Sequence, residues 1–398
     1  MKGRPHSQVE HDASVSRADP SVLLVQESFL PLLGGAELHV LKLGQALQRI
    51  GFRVTVLTAT PGPSMWDGLP VVRMPFLDHQ GRLSPVTRPL GLLLLRHLVR
   101  THTVVHAHYT EMMASIVGEL ASSMGVPFLI TLHGHGTLDS AVLGSPRAER
   151  WRRLSFSFAN TVIATTPEMR AIAERFVDSS RVIDVTNGVD TRRLSFTPRR
   201  NRGSLHLLTL RRLVPKNGVQ YLIEAMPMIL DAVPDATLTV AGTGTLDGYL
   251  KERVTVLGLE NRVQFVGAYD NDSVGTILRD ADIVVFPSSA EGFSLAALEA
   301  MAVGRIVVAS SLGGFLDMLA EGRGILVPLF DREVSDYNAP LELDRDRYLS
   351  LATSIVGVWH RPDQMDDIAQ RAAAWVRAEY SWDIIARSVA DAYSCQCP

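Results

Sequence analysis

The sequence has few cysteines and little net charge. Both cysteines, Cys395 and Cys397, lie in the last four of 398 residues, so disulfide bonds cannot hold a core together. This scarcity predicts a reducing, cytoplasmic setting. A net charge of −3 argues against a nucleic-acid partner, because such partners select strongly basic surfaces.

The sequence also lacks an apolar run long enough to cross a bilayer. Residues 1–19 are polar and do not resemble a secretory signal, so we expect a disordered tail. The most apolar stretch, Leu90 to Val99, is too short for a span and contains Arg96 and His97. It predicts a helix packed on a sheet. The alternative is a peripheral contact with the inner face of the membrane.

What the chain does have is an alternation of short β-rich runs and helical patterns from residue 21 onward. Such alternation predicts an α/β fold with doubly wound parallel sheets, and a length of 398 residues predicts two domains. An Arg- and Pro-rich segment, residues 191–204, interrupts the pattern and predicts a linker. The predicted domains are residues 20–195 and 196–375, followed by a helix at 376–398 that returns toward the first domain.

Two such domains facing each other would form a cleft at the carboxyl ends of their strands, where ligands bind. Gly34 and Gly35 follow the first strand and open a helix, which suits an anion or a sugar hydroxyl. Arg211, Arg212 and Lys216 follow the first strand of the second domain. Fixed cations at a strand end suit a diphosphate.

The stretch "VAGTGTLDGYL" looks like a dinucleotide fingerprint. Asp247 occupies the position of the last glycine, and the stretch does not follow the first strand of a domain. We therefore reject a nicotinamide cofactor and interpret Gly242 and Gly244 as a turn where the backbone approaches a neighbour closely.

Two glutamates stand eight positions apart in "EGFSLAALEAM". Glu291 follows an apolar run, and Glu299 lies two turns into the helical pattern that follows it. Two carboxylate acceptors, helix N–H groups and nearby cations fit a polyhydroxylated ligand that carries a diphosphate.

Together these motifs resemble the retaining GT-B glycosyltransferases of family 4, also called glycosyl transferases group 1. Glu291 and Glu299 match that family's E-x7-E signature, and "LLGGAE", "VTNGVD", "RRLVPKNGVQYLIEA", "AGTG", "RVQFVG" and "VASSLGG" follow in the family's order. The resemblance extends from Val22 to about Tyr393.

The resemblance implies a GT-B fold of two facing Rossmann-like domains. It implies retaining, front-face transfer of a hexosyl group from a UDP-sugar or GDP-mannose to a hydroxyl acceptor, with no metal or other cofactor. Glu291 would bind donor-sugar hydroxyls, Glu299 the ribose, and Arg212 with Lys216 the diphosphate. The implied catalytic residues are Arg212, Lys216, Glu291 and His133; the donor-binding residues are Gly35, Gly242, Gly244, Gly292, Phe293, Ser294, Leu295 and Glu299; the acceptor-side residues are Gly34, His108, Gly313 and Gly314.

The sequence departs from the family at the cations. Arg211 stands where the family usually has glycine. Asn217 stands where its lysine is common, with Lys216 one position earlier. Which of Arg211 and Arg212 contacts the diphosphate stays open, as does the choice among saccharide, lipid-linked and small polyol acceptors.

Other functions remain as alternatives. A metal-dependent transferase could use Asp270–Asp272 or Asp280–Asp282, and "HAH" and "HGH" (His106, His108, His133, His135) could ligate zinc. A glycosidase could use two carboxylates. A sugar-nucleotide 2-epimerase and a catalytically silent nucleotide-sugar-binding scaffold would also keep the fold.

Overall fold

A computed structural model describes residues 19–32, 35–74, 88–110, 112–133, 146–199, 203–269, 273–291, 293–333 and 343–395. The disordered tail predicted for residues 1–19 lies almost wholly outside this part. Within it, the chain divides into two compact units. One comprises residues up to 131, residues 137–162 and the end of the chain from Tyr393; the other comprises residues 132–136 and 163–392.

The first sheet has eight strands in the order β3-β4-β2-β1-β5-β6-β7-β8. Its strands are β1 (Ser21–Val25), β2 (Arg53–Thr58), β3 (Met65–Trp66), β4 (Leu69–Arg73), β5 (Val104–His108), β6 (Phe128–Leu132), β7 (Thr161–Ala164) and β8 (Val182–Asp184). β1 pairs in parallel with β2 and β5, whereas the short β3 runs antiparallel to β4. Residues of β1, β5 and β6 are buried throughout, as expected for a sheet covered on both faces.

Helices connect these strands. They are α1 (Gly35–Arg49), α2 (Arg88–Arg100), α3 (Met112–Ser123), α4 (Pro146–Phe158) and α5 (Pro167–Ala173). α1 begins at Gly35, where the sequence predicted a helix to open, and its residues Val40, Leu43 and Leu47 are fully buried. It is followed by Gly51, whose φ of +99° suits a residue without a side chain.

α2 contains the apolar stretch that the sequence singled out. Leu95, Leu98 and Val99 are buried, which agrees with a packed helix, whereas Leu90 and Leu93 are 66% and 61% exposed. Among the described residues, no helix is long and apolar enough to cross a membrane.

The second sheet has six strands in the order β11-β10-β9-β12-β13-β14. These are β9 (His206–Leu210), β10 (Thr237–Ala241), β11 (Val263–Gly267), β12 (Ile283–Phe286), β13 (Ile306–Ser310) and β14 (Ile325–Val327). All their pairings are parallel. Alternate residues of β9 enter two different cores, Leu207 one and Leu208 the other, so both faces of this sheet are covered.

Of the helices in the second half, all but the last contribute residues to those two cores. The helices are α6 (Val219–Ala232), α7 (Asp247–Val256), α8 (Val274–Asp280), α9 (Leu295–Val303), α10 (Gly314–Met318), α11 (Arg345–Trp359), α12 (Pro362–Glu379) and α13 (Trp382–Ser394).

Hydrogen bonds to residues far along the chain hold the described part of the segment predicted as a linker. The backbone N–H of Thr197 donates to Val303, and the Arg199 guanidinium reaches Asp366 at 3.1 Å. At the other end of the chain, Tyr393 belongs to the first unit. There its hydroxyl lies 2.7 Å from Nδ1 of His106, and both side chains are buried.

Candidate functional site

The site is built where the strand order of the second sheet reverses. β9 lies between β10 and β12, so the chain leaves it toward one side and later returns on the other. In open parallel sheets such a reversal leaves a crevice at the strands' carboxyl ends, where ligands bind. Arg211 directly follows β9, and Ser288 and Glu291 follow β12.

Arg211 connects these two strand ends. Three acceptors share the two N–H groups of its Nη2 atom: Oδ1 of Asn217 at 2.9 Å, Oγ of Ser288 at 2.8 Å and the carboxylate of Glu291. Its guanidinium also lies 5.5 Å from the centroid of the Phe286 ring, a cation–π distance. The carboxylate of Glu291 is therefore held by a charge-assisted hydrogen bond at the switch point.

Three glycines let loops approach this network closely. A Cβ atom at Gly218 would lie 1.8 Å from the carbonyl oxygen of Pro287, and one at Gly242 would lie 1.8 Å from that of Arg211. At Gly244 the carbonyl oxygen of Leu213 would be 2.3 Å away. Gly242 and Gly244 thus make the predicted close approach, and what they approach is the backbone of Arg211 and Leu213.

The backbone of Glu291 is fixed by the loop after β13. The Gly314 N–H donates to the carbonyl oxygen of Glu291 at 2.9 Å. A Cβ atom at Gly313, where φ is +51°, would lie 2.0 Å from the same oxygen. Gly313 and Gly314, predicted on the acceptor side, therefore support the loop that carries Glu291.

Helix α9 positions the second glutamate. It begins at Leu295, and the hydroxyl of Ser294 caps it by accepting from the Ala297 N–H at 3.4 Å. β12 ends at Phe286, where Pro287 has no N–H to donate to a neighbouring strand.

Glu299 lies in the second turn of α9 and is partly buried. Burial raises the pKa of its carboxyl group to about 7, and the opposing effect of Arg193 is smaller. Burial also raises the pKa of Tyr269 to about 12, with a further contribution from Glu299. Glu299 is thus a weakly hydrated acceptor, close to the change between its neutral and charged forms at neutral pH.

A cavity of about 610 Å³ adjoins Glu291. Phe293, Gly313 and Gly314 line it together with Thr166 and Tyr380. Its charged lining residues are Glu168, Arg170, Asp184, Glu291, Asp317 and Glu333. Arg170 is already paired with Asp184 at 2.8 Å, so carboxylates dominate the lining.

The two other predicted cations differ in exposure. Arg212 is exposed, whereas Lys216 is partly buried. Burial lowers the pKa of Lys216, while Glu291 raises it and Arg211 and Arg212 lower it. Lys216 also holds the loop through its backbone, because its carbonyl oxygen accepts from the Ser289 N–H at 2.8 Å.

The predicted histidines end strands of the first sheet. His133 follows β6 and is 6% exposed. His108, the last residue of β5, stacks on His106 with ring centroids 4.6 Å apart. Both ring nitrogens of His106 are hydrogen-bonded, Nδ1 to Tyr393 and Nε2 to Thr131 at 2.7 Å each. His106 therefore has no ring nitrogen left for the zinc alternative.

The aspartate alternative is tested only in part, because Asp270–Asp272 lies outside the described residues. In the second triplet, Asp282 is buried and its Oδ2 accepts from the His206 N–H at 2.9 Å. This hydrogen bond gives Asp282 a structural role at the start of β9. Gly34, Gly292 and His135 also lie outside the described part, whereas Gly35 is the first residue of α1.

The sequence analysis predicted Glu291 but not the other two partners of Arg211, Asn217 and Ser288. Asn217 was noted only as a departure from the family, and Ser288 was not singled out. Ser288 could have been found from its position beside Ser289 at the end of an apolar run. Tyr269, close to Glu299, gave no sequence signal.

Comparisons with known proteins agree with this geometry. Residues 190–341 match the sequence model of "Glycosyl transferases group 1", and residues 33–193 match that of "Glycosyltransferase Family 4". The chain therefore belongs to this family and is a glycosyltransferase. The family resemblance and the GT-B fold expected from the sequence are confirmed.

Curated relatives cover most of the chain. Glycogen synthase of Mycobacterium tuberculosis is 28% identical, with 94% of each chain covered. The phosphatidyl-myo-inositol mannosyltransferase of Mycolicibacterium smegmatis is 25% identical, with 90% of each covered. A solved structure of Anabaena Alr3699/HepE in complex with UDP and glucose aligns with a TM-score of 0.66 and 22% identity, covering 94% of this chain and 99% of that one.

Proposed function

We propose that this enzyme transfers a hexosyl group from a UDP-sugar or GDP-mannose to a hydroxyl acceptor, with retention and without a metal ion. The observation that carries the proposal is the placement of Glu291 and Glu299. One carboxylate is fixed at the switch point and the other lies inside the helix that starts there. Glu291 would grip the donor sugar and Glu299 the ribose.

The chemistry follows from where charge develops. As the bond from sugar to diphosphate breaks, negative charge grows on the departing oxygen and positive charge on the sugar ring. Fixed cations stabilise the first, and one such donor contributes on the order of 3–4 kcal/mol in comparable roles. Arg212 and Lys216 would meet the diphosphate, and the diphosphate oxygen would take the proton from the acceptor hydroxyl on the same face.

We propose UDP as the first donor nucleotide to test, on the basis of the comparisons. Alr3699/HepE binds UDP, and the relatives include a mannosyltransferase and a glycogen synthase. The carboxylate-rich lining of the cavity beside Glu291 disfavours a phosphorylated acceptor there, because like charges repel. We therefore propose a neutral, polyhydroxylated acceptor group.

The test is a transfer assay with UDP-glucose and GDP-mannose against a panel of polyols and saccharides, in EDTA. Glu291→Gln and Lys216→Ala should lower turnover by about 100-fold or more. Lys251→Ala is the matched control, because Lys251 forms an exposed ion pair with Asp247 on α7. NMR of the product should show the donor's anomeric configuration.

Several outcomes would contradict the proposal. Full rates in both site variants would remove the assigned roles, and loss of transfer in EDTA would restore the metal-dependent alternative. Conversion of donor with no acceptor present would indicate an epimerase. Nucleotide-sugar binding without transfer to any acceptor or to water would indicate a scaffold.

A further inference from the structure

Arg211 is a largely buried cation that holds Glu291 and that the proposed function does not otherwise use. Its side chain is 10% exposed, and that of its partner Glu291 is 14% exposed. Burying an arginine is costly unless its charge and its N–H groups are used. The neighbours of Arg211 therefore indicate what it is for.

Among the described residues, the hydrogen-bond acceptors around this guanidinium surround one of its nitrogens. Asn217, Ser288 and Glu291 all accept from Nη2. Its Nε–H group is buried and has no hydrogen-bond partner among the described residues. An arginine offers five N–H donors in a planar fork, and leaving a buried donor without a partner is unfavourable. The guanidinium is thus fixed by its neighbours and still has donors for an anion.

Asn217 is committed to holding this arrangement. It is 4% exposed; its Oδ1 accepts from Arg211, and its Nδ2 donates to the carbonyl oxygen of Arg212 at 2.7 Å. Position 217 therefore brings an amide, not a charge, to the site. The positive charge in contact with Glu291 comes from position 211 instead.

We propose that Arg211 is the cation that holds Glu291 and offers its remaining N–H groups to the diphosphate of the donor. Positions 211 and 217 would act as a pair. Position 211 supplies the positive charge, and the side chain at position 217 fixes it by a hydrogen bond. This inference rests on the proposed function. It adds a third cation to Arg212 and Lys216 and assigns it a double role, because its Nη2 group fixes a carboxylate and its other N–H groups bind phosphate oxygens.

The test compares a nucleoside with its diphosphate, using the full-length chain. We would measure the Kd of UDP and of uridine for the wild type and for Arg211→Gln. Gln keeps part of the volume and some hydrogen bonding but removes the charge. The affinity for UDP should fall by about tenfold or more, that is by about 1.4 kcal/mol or more, because charge-assisted hydrogen bonds to phosphate oxygens are lost. The affinity for uridine should change less than twofold. Arg253→Ala, which breaks the 2.7 Å pair with Glu224 elsewhere in the unit, should change neither.

A second variant tests whether positions 211 and 217 act together. Asn217→Lys in the Arg211→Gln background returns a cation to the same place, so UDP affinity should recover to within about threefold of wild type. Equal losses for UDP and uridine in Arg211→Gln would show a merely structural arginine and overturn the proposal. So would a double variant that binds UDP no better than Arg211→Gln. If the wild type binds neither UDP nor GDP, the proposed function itself fails and this inference fails with it.

Discussion

Glu299 couples the stability of this protein to pH. Burial raises its pKa from the usual 4.5 to about 7. Between these values the folded chain keeps a proton that the unfolded chain has released. Because the folded state binds more protons there, the free energy of unfolding falls as pH rises from 4.5 to 7.

The size of the effect follows from the two pKa values. The difference between 4.5 and about 7 corresponds to about 3 kcal/mol at 1.36 kcal/mol for each pH unit. Because the side chain keeps some exposure to solvent, we expect about 1–3 kcal/mol. Glu299→Gln removes the titration and keeps the shape. It should therefore gain that much stability relative to the wild type between pH 4.5 and pH 8.

The assay is urea denaturation of both proteins across this pH range. Glu252→Gln, an exposed carboxylate on α7, is the matched control and should follow the wild-type curve. The reasoning fails if the wild-type and Glu299→Gln curves run parallel from pH 4.5 to 8, because burial would then not raise this pKa.

Three further outcomes are expected. Gly218→Ala should unfold the protein or lower its free energy of unfolding by several kcal/mol, because its Cβ would lie 1.8 Å from a carbonyl oxygen. Gly258→Ala, at the same φ of +67° but with nothing within 4 Å, should lower the free energy of unfolding, measured by denaturation, by only about 1–2 kcal/mol. Tyr393→Phe should lower stability by about 1–3 kcal/mol, since His106 loses a buried hydrogen bond; an unchanged denaturation midpoint would contradict this. If the charged form of Glu299 binds ribose, uridine affinity measured by calorimetry should fall about tenfold from pH 8 to pH 6, and a flat profile would exclude that role.

The sequence predicted those parts of the fold that depend on local pattern. The alternation of β-rich runs and helical patterns indicated both sheets, and the glycines after the first strand indicated the start of α1. The eight-residue spacing of Glu291 and Glu299 likewise identified the family. These signals are local, because burial on a helix face or strand repeats with a fixed period.

What the sequence could not predict depends on contacts between distant residues. Arg211 and Arg212 are adjacent cations, and only the meeting of two strand ends places one of them against Ser288, 77 positions away. The raised pKa of Glu299 depends on burial by the fold around it. His106 and Tyr393, separated by 287 positions, gave no shared signal.

The hydrogen bond between Tyr393 and His106 also constrains the order in which the protein can form. His106 lies in the middle strands of the first unit, yet its partner arrives from the far end of the chain. At about 5–20 residues per second, a ribosome needs roughly 15–60 s to travel between these two positions. During that interval this hydrogen bond cannot form, so the native packing of the first unit is completed only after the second unit has been synthesised.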